Sequence, residues 1–296
     1  MGISNHYRIS LWAALVPAML LAFCGNVFAG QYVRVSPDLD IYYEEAGTGT
    51  PIVFIPGWTS TSKYFTAQIE HFSKNYRAIA FDPRNKGRSS KTSSGNSRAQ
   101  LGEDLKTFLD AFSLKDVILV GWSGGCYQAQ DYFRAYGTDS TKAFICIDSA
   151  PKAIMSYDGD WAGMKSTVEL KPLYDGLAND SVSTVRNFIQ SMVTRQMTEE
   201  ELNVFAEETL KTPIDIAQWH LLEWFIYDVS EDIRKMDAKI PVLYVLAEPV
   251  FETGKAWLSK NAPHAEVSGG FGLHMMFWEF PDRFNAVVDD FLRNIE

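Results

Sequence analysis

Five residues constrain this chain more than any others: Gly121-Trp122-Ser123-Gly124-Gly125. They follow Val117-Ile118-Leu119-Val120, a β-branched apolar run that reads as a buried strand. They precede Cys126-Tyr127-Gln128-Ala129-Gln130, a stretch without Pro or Gly that reads as a helix. A chain that turns sharply from strand to helix leaves no room for bulk beside the turn, so small residues flank the serine. This pattern of strand, small-x-Ser-x-small and helix is that of a nucleophile elbow. It puts the Ser123 hydroxyl at an exposed apex, in a strained conformation, above the N-terminus of the next helix. A glycine-rich turn with an incidental serine would look the same over five residues, so the rest of the chain must decide.

Composition removes several classes. The 296 residues are 46% hydrophobic and 14% aromatic, enough for a large core and incompatible with disorder. A net charge of −10 disfavours nucleic acid and anionic membrane surfaces as partners. The N-terminus stands apart. Leu11 to Phe23 is an apolar stretch, Arg8 precedes it, and Val27-Phe28-Ala29 offers an A-x-A-like cleavage site. Residues 1–29 therefore read as a secretory signal peptide, and the mature protein is expected in the periplasm or outside the cell, free of the membrane. Cys24 leaves with that segment. Cys126 and Cys146 remain, both in apolar surroundings where a free thiol serves as a small hydrophobe.

Strands and helices alternate along most of the chain. Residues 31–35 and 39–45 form a hairpin around Ser36-Pro37-Asp38. Pro51-Ile52-Val53-Phe54-Ile55 is a strand buried on both faces, and residues 59–75 read as a helix. Residues 76–81 form the next strand, followed by the loop Asp82-Pro83-Arg84-Asn85-Lys86-Gly87-Arg88-Ser89. Leu101, Leu105, Phe108, Leu109 and Phe112 mark one helix face. Ala143-Phe144-Ile145-Cys146-Ile147 is a further buried strand ending at Asp148, and residues 241–246 and 265–268 are the last two. The alternation stops over residues 151–229, a mainly helical stretch with a helix start at Thr198-Glu199-Glu200-Glu201. The expected architecture is α/β, a mainly parallel sheet flanked by helices. Residues 30–150 and 230–296 form its core, and the helical cap 151–229 is inserted after the strand ending near Asp148. Such a cap would cover the C-terminal sheet edge, where α/β sites lie.

The motifs, taken in order, resemble the α/β-hydrolase superfamily. They run Ile55-Pro56-Gly57-Trp58, then Phe81 to Ser89, then the elbow. Gly269-Gly270-Phe271-Gly272-Leu273-His274 and Trp278-Glu279-Phe280-Pro281 complete the series. The resemblance runs from about residue 41 to the C-terminus apart from the cap. It is nearest to the capped, cofactor-free branch of esterases, non-haem haloperoxidases and haloalkane dehalogenases, here with a Ser nucleophile. Two positions depart from the family: Pro56-Gly57 replaces His-Gly, and Arg84-Asn85-Lys86-Gly87 replaces Arg-Gly-His-Gly. Asn tolerates positive φ better than other non-glycine residues, so the loop backbone can survive. Dehalogenases carry Asp at the nucleophile position, so Ser123 disfavours that chemistry.

The resemblance also supplies site roles. A serine hydroxyl needs a base and a group that orients the base. Of the five histidines, His274 stands where the fold puts its base, after a Gly-rich loop and before the last helix. His6 lies in the signal, His71 in a polar helix setting, His264 in a surface-like turn, and His220 among cap aromatics. Three carboxylates compete for the acid: Asp148 at a strand end, and Glu248 or Glu252 after the next strand, where Val250 holds the family's usual Asp position. The oxyanion donors implied are the Trp58 and Gly124 amides. Trp58, Trp122, Trp161, Trp219, His220, Trp224 and Met275 are candidate pocket residues, although aromatics at helical spacing also serve as packing. No metal-ligand spacing is visible, and neither a metal nor any other cofactor is expected. The reading is a serine hydrolase of the carboxylesterase type acting on small to medium hydrophobic esters or lactones. Perhydrolase or haloperoxidase-like use of the same residues is an alternative, as is a non-catalytic ligand-binding protein on the same fold.

Overall fold

Along each central strand the apolar side chains alternate between two faces, and each face feeds its own core. On the computed structural model, which describes residues 30–154, 161 and 167–295, Ile52 and Phe54 pack with Val120, Ile145 and Val245. Their neighbours Val53, Ile55, Leu119, Phe144 and Tyr244 pack on the opposite side. Period-two alternation with both faces apolar is what a sheet covered twice requires. Each fully buried large side chain contributes roughly 1.5–3 kcal/mol of transfer free energy. The expected signal segment, residues 1–29, lies outside the described residues.

Among the described residues the sheet has eight strands: β1 (Gln31–Ser36), β2 (Leu39–Ala46), β3 (Pro51–Ile55), β4 (Arg77–Phe81), β5 (Val117–Trp122), β6 (Thr141–Ile147), β7 (Val242–Leu246) and β8 (Glu266–Gly269). Their spatial order is β1-β2-β4-β3-β5-β6-β7-β8. The pairs β1–β2 and β2–β4 are antiparallel, and all others are parallel. The nucleophile strand β5 thus sits centrally, with β3 on one side and β6 on the other.

Helices α1 (Thr66–Phe72), α2 (Arg98–Ala111) and α3 (Gly124–Tyr136) connect the first strands. Between β6 and β7 come α4 (Lys171–Asn179), α5 (Ser181–Gln190), α6 (Glu199–Leu210), α7 (Ile214–Ile226) and α8 (Ser230–Met236). The chain ends with α9 (Phe251–Asn261), α10 (Met276–Glu279) and α11 (Pro281–Ile295). The expected start at Thr198 is a full capping box. Thr198 Oγ1 accepts from the Glu201 amide at 3.2 Å and Glu201 returns the bond to the Thr198 amide at 2.9 Å. The helix expected over 59–75 is shorter. Thr59 has φ 56° and the Ser60 amide bonds back to Gly57 O, so a tight turn takes the first residues. A short 3₁₀ turn, Ser62–Phe65, then leads into α1.

The inserted helices lie on the sheet's C-terminal edge. Trp58 Nε1 donates to Ala217 O in α7 at 2.9 Å, and Thr61 Oγ1 donates to Glu208 of α6 at 3.2 Å. Cys126 and Cys146 are free and buried, as expected.

Candidate active site

The elbow owes its glycines to close backbone approach. A side chain at Gly125 would put its Cβ 2.0 Å from Ile55 O, and one at Gly121 would lie 2.7 Å from the Cys126 nitrogen. Neither distance is open to a real carbon, so only glycine lets α3 start directly beneath β3 and β5. Ser123 takes the strain that this turn imposes, with φ 53° and ψ −118°. Its amide is anchored to Ile147 O at 3.0 Å, which ties the elbow to β6.

The end of β6 supplies a carboxylate. Asp148 follows Ile147 with φ 46° and is held by its amide on Val245 O at 2.9 Å. One carboxylate oxygen, Oδ1, accepts from the Ala247 amide at 2.9 Å. The other, Oδ2, accepts from His274 Nδ1 at 2.6 Å. A carboxylate can only accept here, so Nδ1 carries the imidazole proton and Nε2 is left with its lone pair. His274 is further fixed through its backbone, whose carbonyl accepts from Trp122 Nε1 at 2.9 Å. The residue beside the elbow serine therefore braces the histidine.

Glu248 and Glu252 are exposed on the turn and helix after β7, and neither reaches His274. Val250 is part-buried against both cores at that end of the sheet, which leaves β6 to provide the carboxylate. Two other described histidines pair with carboxylates elsewhere, His71 with Asp289 and His264 with Asp237, both at 2.8 Å.

Ser123, Gly124, Trp58 and His274 line one cavity of about 310 Å³ between sheet edge and inserted helices. The amides of Trp58 and Gly124 are neighbours, since a Cβ at Gly124 would lie 3.1 Å from the Trp58 nitrogen. Among the described residues, neither amide donates to a protein acceptor. Two unpartnered N–H groups beside a serine form a ready site for an anionic oxygen. Leu101, Leu173, Phe188, Met192 and Leu221 make most of the remaining wall apolar. Phe188 meets Trp58 edge-on at 5.3 Å, which with the Ala217 bond fixes the indole.

Of the candidate pocket residues, His220 and Trp224 also line this cavity. His220 Nε2 donates to Asn96 O at 2.9 Å, and burial, aided by Lys86 and Arg98, lowers its pKa to about 4. It is neutral at physiological pH and already committed. Four other expected pocket residues do not line the cavity. Trp122 is 2% exposed, packed between Tyr64 and Phe277 with its indole spent on His274 O. Trp161 is buried beside Tyr244 and Trp257 in the core on the α3 side of the sheet. Met275 is fully buried, held by its amide on Met192 O. Trp219 is half exposed on the outer side of α7, where it borders a separate groove with Leu222 and Ile226. Three of the four are apolar bulk used for packing, and Trp219 points outward because His220 takes the inward direction on the same helix turn.

The cavity also holds residues that the sequence reading did not assign to it: Lys86, Arg98, Tyr127 and Gln128 among them. Arg98 is ion-paired to Asp131 at 3.0 Å and stacked between Tyr127 and Tyr227. Lys86 is 4% exposed and donates from Nζ to Gly57 O at 2.8 Å. The available signal was the departure itself: Lys86 stands in Arg84-Asn85-Lys86-Gly87 where the family carries His.

Comparison with known proteins agrees with the fold. A family model described as the alpha/beta hydrolase fold matches residues 50–224. The chain is 26% identical over 275 residues to the non-heme chloroperoxidase CPO-A1 of Kitasatospora aureofaciens, covering 86% of this chain and 96% of that one. A bromoperoxidase structure from Bacillus anthracis superposes with a TM-score of 0.81 at 23% identity, over 90% of this chain and 100% of that one. An esterase from Exiguobacterium antarcticum reaches the same TM-score of 0.81 at 20% identity, over 89% and 99%.

Proposed function

The chain belongs to the alpha/beta hydrolase fold family, in the branch of cofactor-free haloperoxidases and esterases, and from that premise we propose that it is a serine hydrolase cleaving carboxylic esters or lactones through an acyl-enzyme. The observation that carries this reading is the 2.6 Å bond from His274 Nδ1 to Asp148, with Ser123 and two free amides in the same cavity.

In the first half-reaction, His274 Nε2 takes the Ser123 proton and Oγ attacks the acyl carbon. The carbonyl oxygen, now negative, rests on the Trp58 and Gly124 amides. Each such donor is worth ~3 kcal/mol in the transition state. Asp148 stabilises the imidazolium. The carbon–oxygen bond to the leaving alcohol breaks as His274 returns the proton to it. In the second half, His274 takes a proton from water, hydroxide adds to the acyl carbon, and Ser123 leaves with its proton restored. A cavity of about 310 Å³ with apolar walls suits small to medium acyl groups. Residues 1–29 support export, which N-terminal sequencing of the mature protein would test by a start near Gly30.

The test is labelling with a fluorophosphonate, which reacts only with an activated serine. Wild type should label and Ser123→Ala should not. Absence of labelling in both would favour a binding protein on a hydrolase fold. The chloroperoxidase relative supports a second arm of the same chemistry. Hydrogen peroxide in place of water would attack the acyl-enzyme and release a peracid. Peracid formation that disappears in Ser123→Ala would establish it, and hydrolysis without any peracid would dismiss it.

A further inference from the structure

Lys86 has no use in the scheme above, and its burial is costly. An ammonium is rarely hidden without a carboxylate partner. At 4% exposure Lys86 makes no ion pair among the described residues. Asp82, the carboxylate whose charge acts on Lys86, spends its two oxygens on the Ser62 amide at 2.7 Å and the Arg88 amide at 2.8 Å. The ammonium donates instead to the carbonyl of Gly57, at 2.8 Å.

That carbonyl belongs to the Gly57–Trp58 peptide, whose other end is the Trp58 N–H. We propose that Lys86 is a positioning residue for the oxyanion site: its ammonium fixes and polarises the Gly57–Trp58 peptide, strengthening the Trp58 N–H as a donor to the developing negative charge. The inference rests on the acyl-enzyme reading, because it needs an oxyanion at that amide.

The loop is built to deliver this contact. Asn85 adopts φ 65° and its side chain accepts from the Thr92 amide at 2.6 Å. The Lys86 amide bonds Pro83 O at 2.9 Å, and its carbonyl accepts from the Ser89 amide and from Lys91 Nζ, both at 3.1 Å. These bonds pin the backbone on which the Lys86 side chain reaches Gly57 O. Gly57 in turn abuts the nucleophile, since a Cβ there would lie 3.3 Å from Ser123 Cβ.

Charge should matter more than the hydrogen bond alone. Peptide dimensions put the ammonium within about 8 Å of an oxygen bound to the Trp58 amide. At an effective dielectric of about 20, one charge at that distance corresponds to roughly a 10- to 30-fold change in rate. The groups around Lys86 are Asp82 at the end of β4, Arg98 on α2, His220 on α7 and Lys91 in its own loop. Burial pulls its pKa from 10.5 down to about 7, with Asp82 opposing the fall and Arg98 adding to it. The charge is therefore present in mildly acid solution and is lost as pH rises through that value.

Lys86→Gln keeps a neutral donor for Gly57 O and removes the charge. With p-nitrophenyl acetate at pH 6, kcat should fall roughly 10- to 30-fold while KM stays within about twofold. Tm should not drop, because a buried charge is removed. The deficit should shrink toward pH 9, where wild type loses the same charge. A variant with wild-type kcat at pH 6, a loss confined to KM, or a deficit that is constant with pH would each overturn the inference. If the variant does not fold, wild type alone decides: kcat must fall by about tenfold between its maximum and pH 9, and a flat plateau refutes the role. A wild-type protein that neither turns over the ester nor acylates Ser123 removes the parent reading and this one together. A fully active Lys86→Gln removes this one alone.

Discussion

Asp148→Asn is the sharpest single perturbation. The side chain keeps its shape and loses one acceptor. Both oxygens of Asp148 now accept, one from the Ala247 amide at 2.9 Å and one from His274 Nδ1 at 2.6 Å. An asparagine has one acceptor for these two donors. If its oxygen stays on Ala247, its amino group faces Nδ1 and forces the proton onto Nε2, so the base is lost. If it flips, an N–H opposes the Ala247 amide, a buried clash costing about 1–3 kcal/mol. The backbone donor cannot rotate away and the imidazole can change tautomer, so the first outcome wins. A wrong tautomer in an equivalent serine–histidine–carboxylate set costs ~10⁴ in kcat, about 5.5 kcal/mol in the barrier. Hydrolysis of p-nitrophenyl acetate should fall by that order, with Tm within a few degrees of wild type and slow but detectable fluorophosphonate labelling. Glu248→Gln and Glu252→Gln should stay within about twofold, since both are exposed and the imidazole's carboxylate partner is Asp148. A loss below tenfold in Asp148→Asn, or a large loss in either glutamate variant, would refute the argument.

Other substitutions follow from the same geometry. Gly125→Ala must push a carbon into Ile55 O, 2.0 Å away, so it should yield insoluble protein or a Tm lowered by more than ten degrees, read by calorimetry. Trp122→Phe removes the bond to His274 O and should lower kcat about tenfold or more with little change in KM, measured by steady-state kinetics. Trp219→Ala, outside the cavity, should leave kcat/KM within about twofold, while Phe188→Ala should raise KM for longer acyl chains. His220 has its folded pKa depressed from 6.5 to about 4, so the unfolded chain binds its proton first. Stability from this group is present above pH 6.5 and is lost as pH falls toward 4, by roughly 3 kcal/mol in all. His220→Gln should flatten the dependence of Tm on pH across that window.

Much of the site was legible because its constraints are local. The elbow, Asp148 and His274 each stand at a strand end or loop whose sequence marks it, and the order of motifs fixes which ends meet. The acid stayed open between three carboxylates because the choice depends on which strand end faces the Gly-rich loop, a property of sheet order rather than of spacing. The pocket was the least legible part. Trp122, Trp161 and Met275 are as apolar as Phe188 and Met192, and nothing in a side chain's hydrophobicity says whether it faces a cavity or a core. On α7, His220 and Trp219 are adjacent in sequence and point to opposite sides, so one residue of helical phase separates a wall of the cavity from the outer surface. Lys86 shows the converse. Its loop was readable, but its target, the Gly57 carbonyl, is 29 residues away in sequence and is fixed only when β3 and β4 pair.

The claim on which the rest depends is that Ser123 carries the acyl group. Rapid mixing with p-nitrophenyl acetate, an acid quench at the end of the burst and peptide mapping by mass spectrometry would read it directly. One acetyl group is expected on the peptide containing Ser123, and none in Ser123→Ala. Steady turnover with no acetylated peptide, or with the acetyl group on another residue, would contradict it.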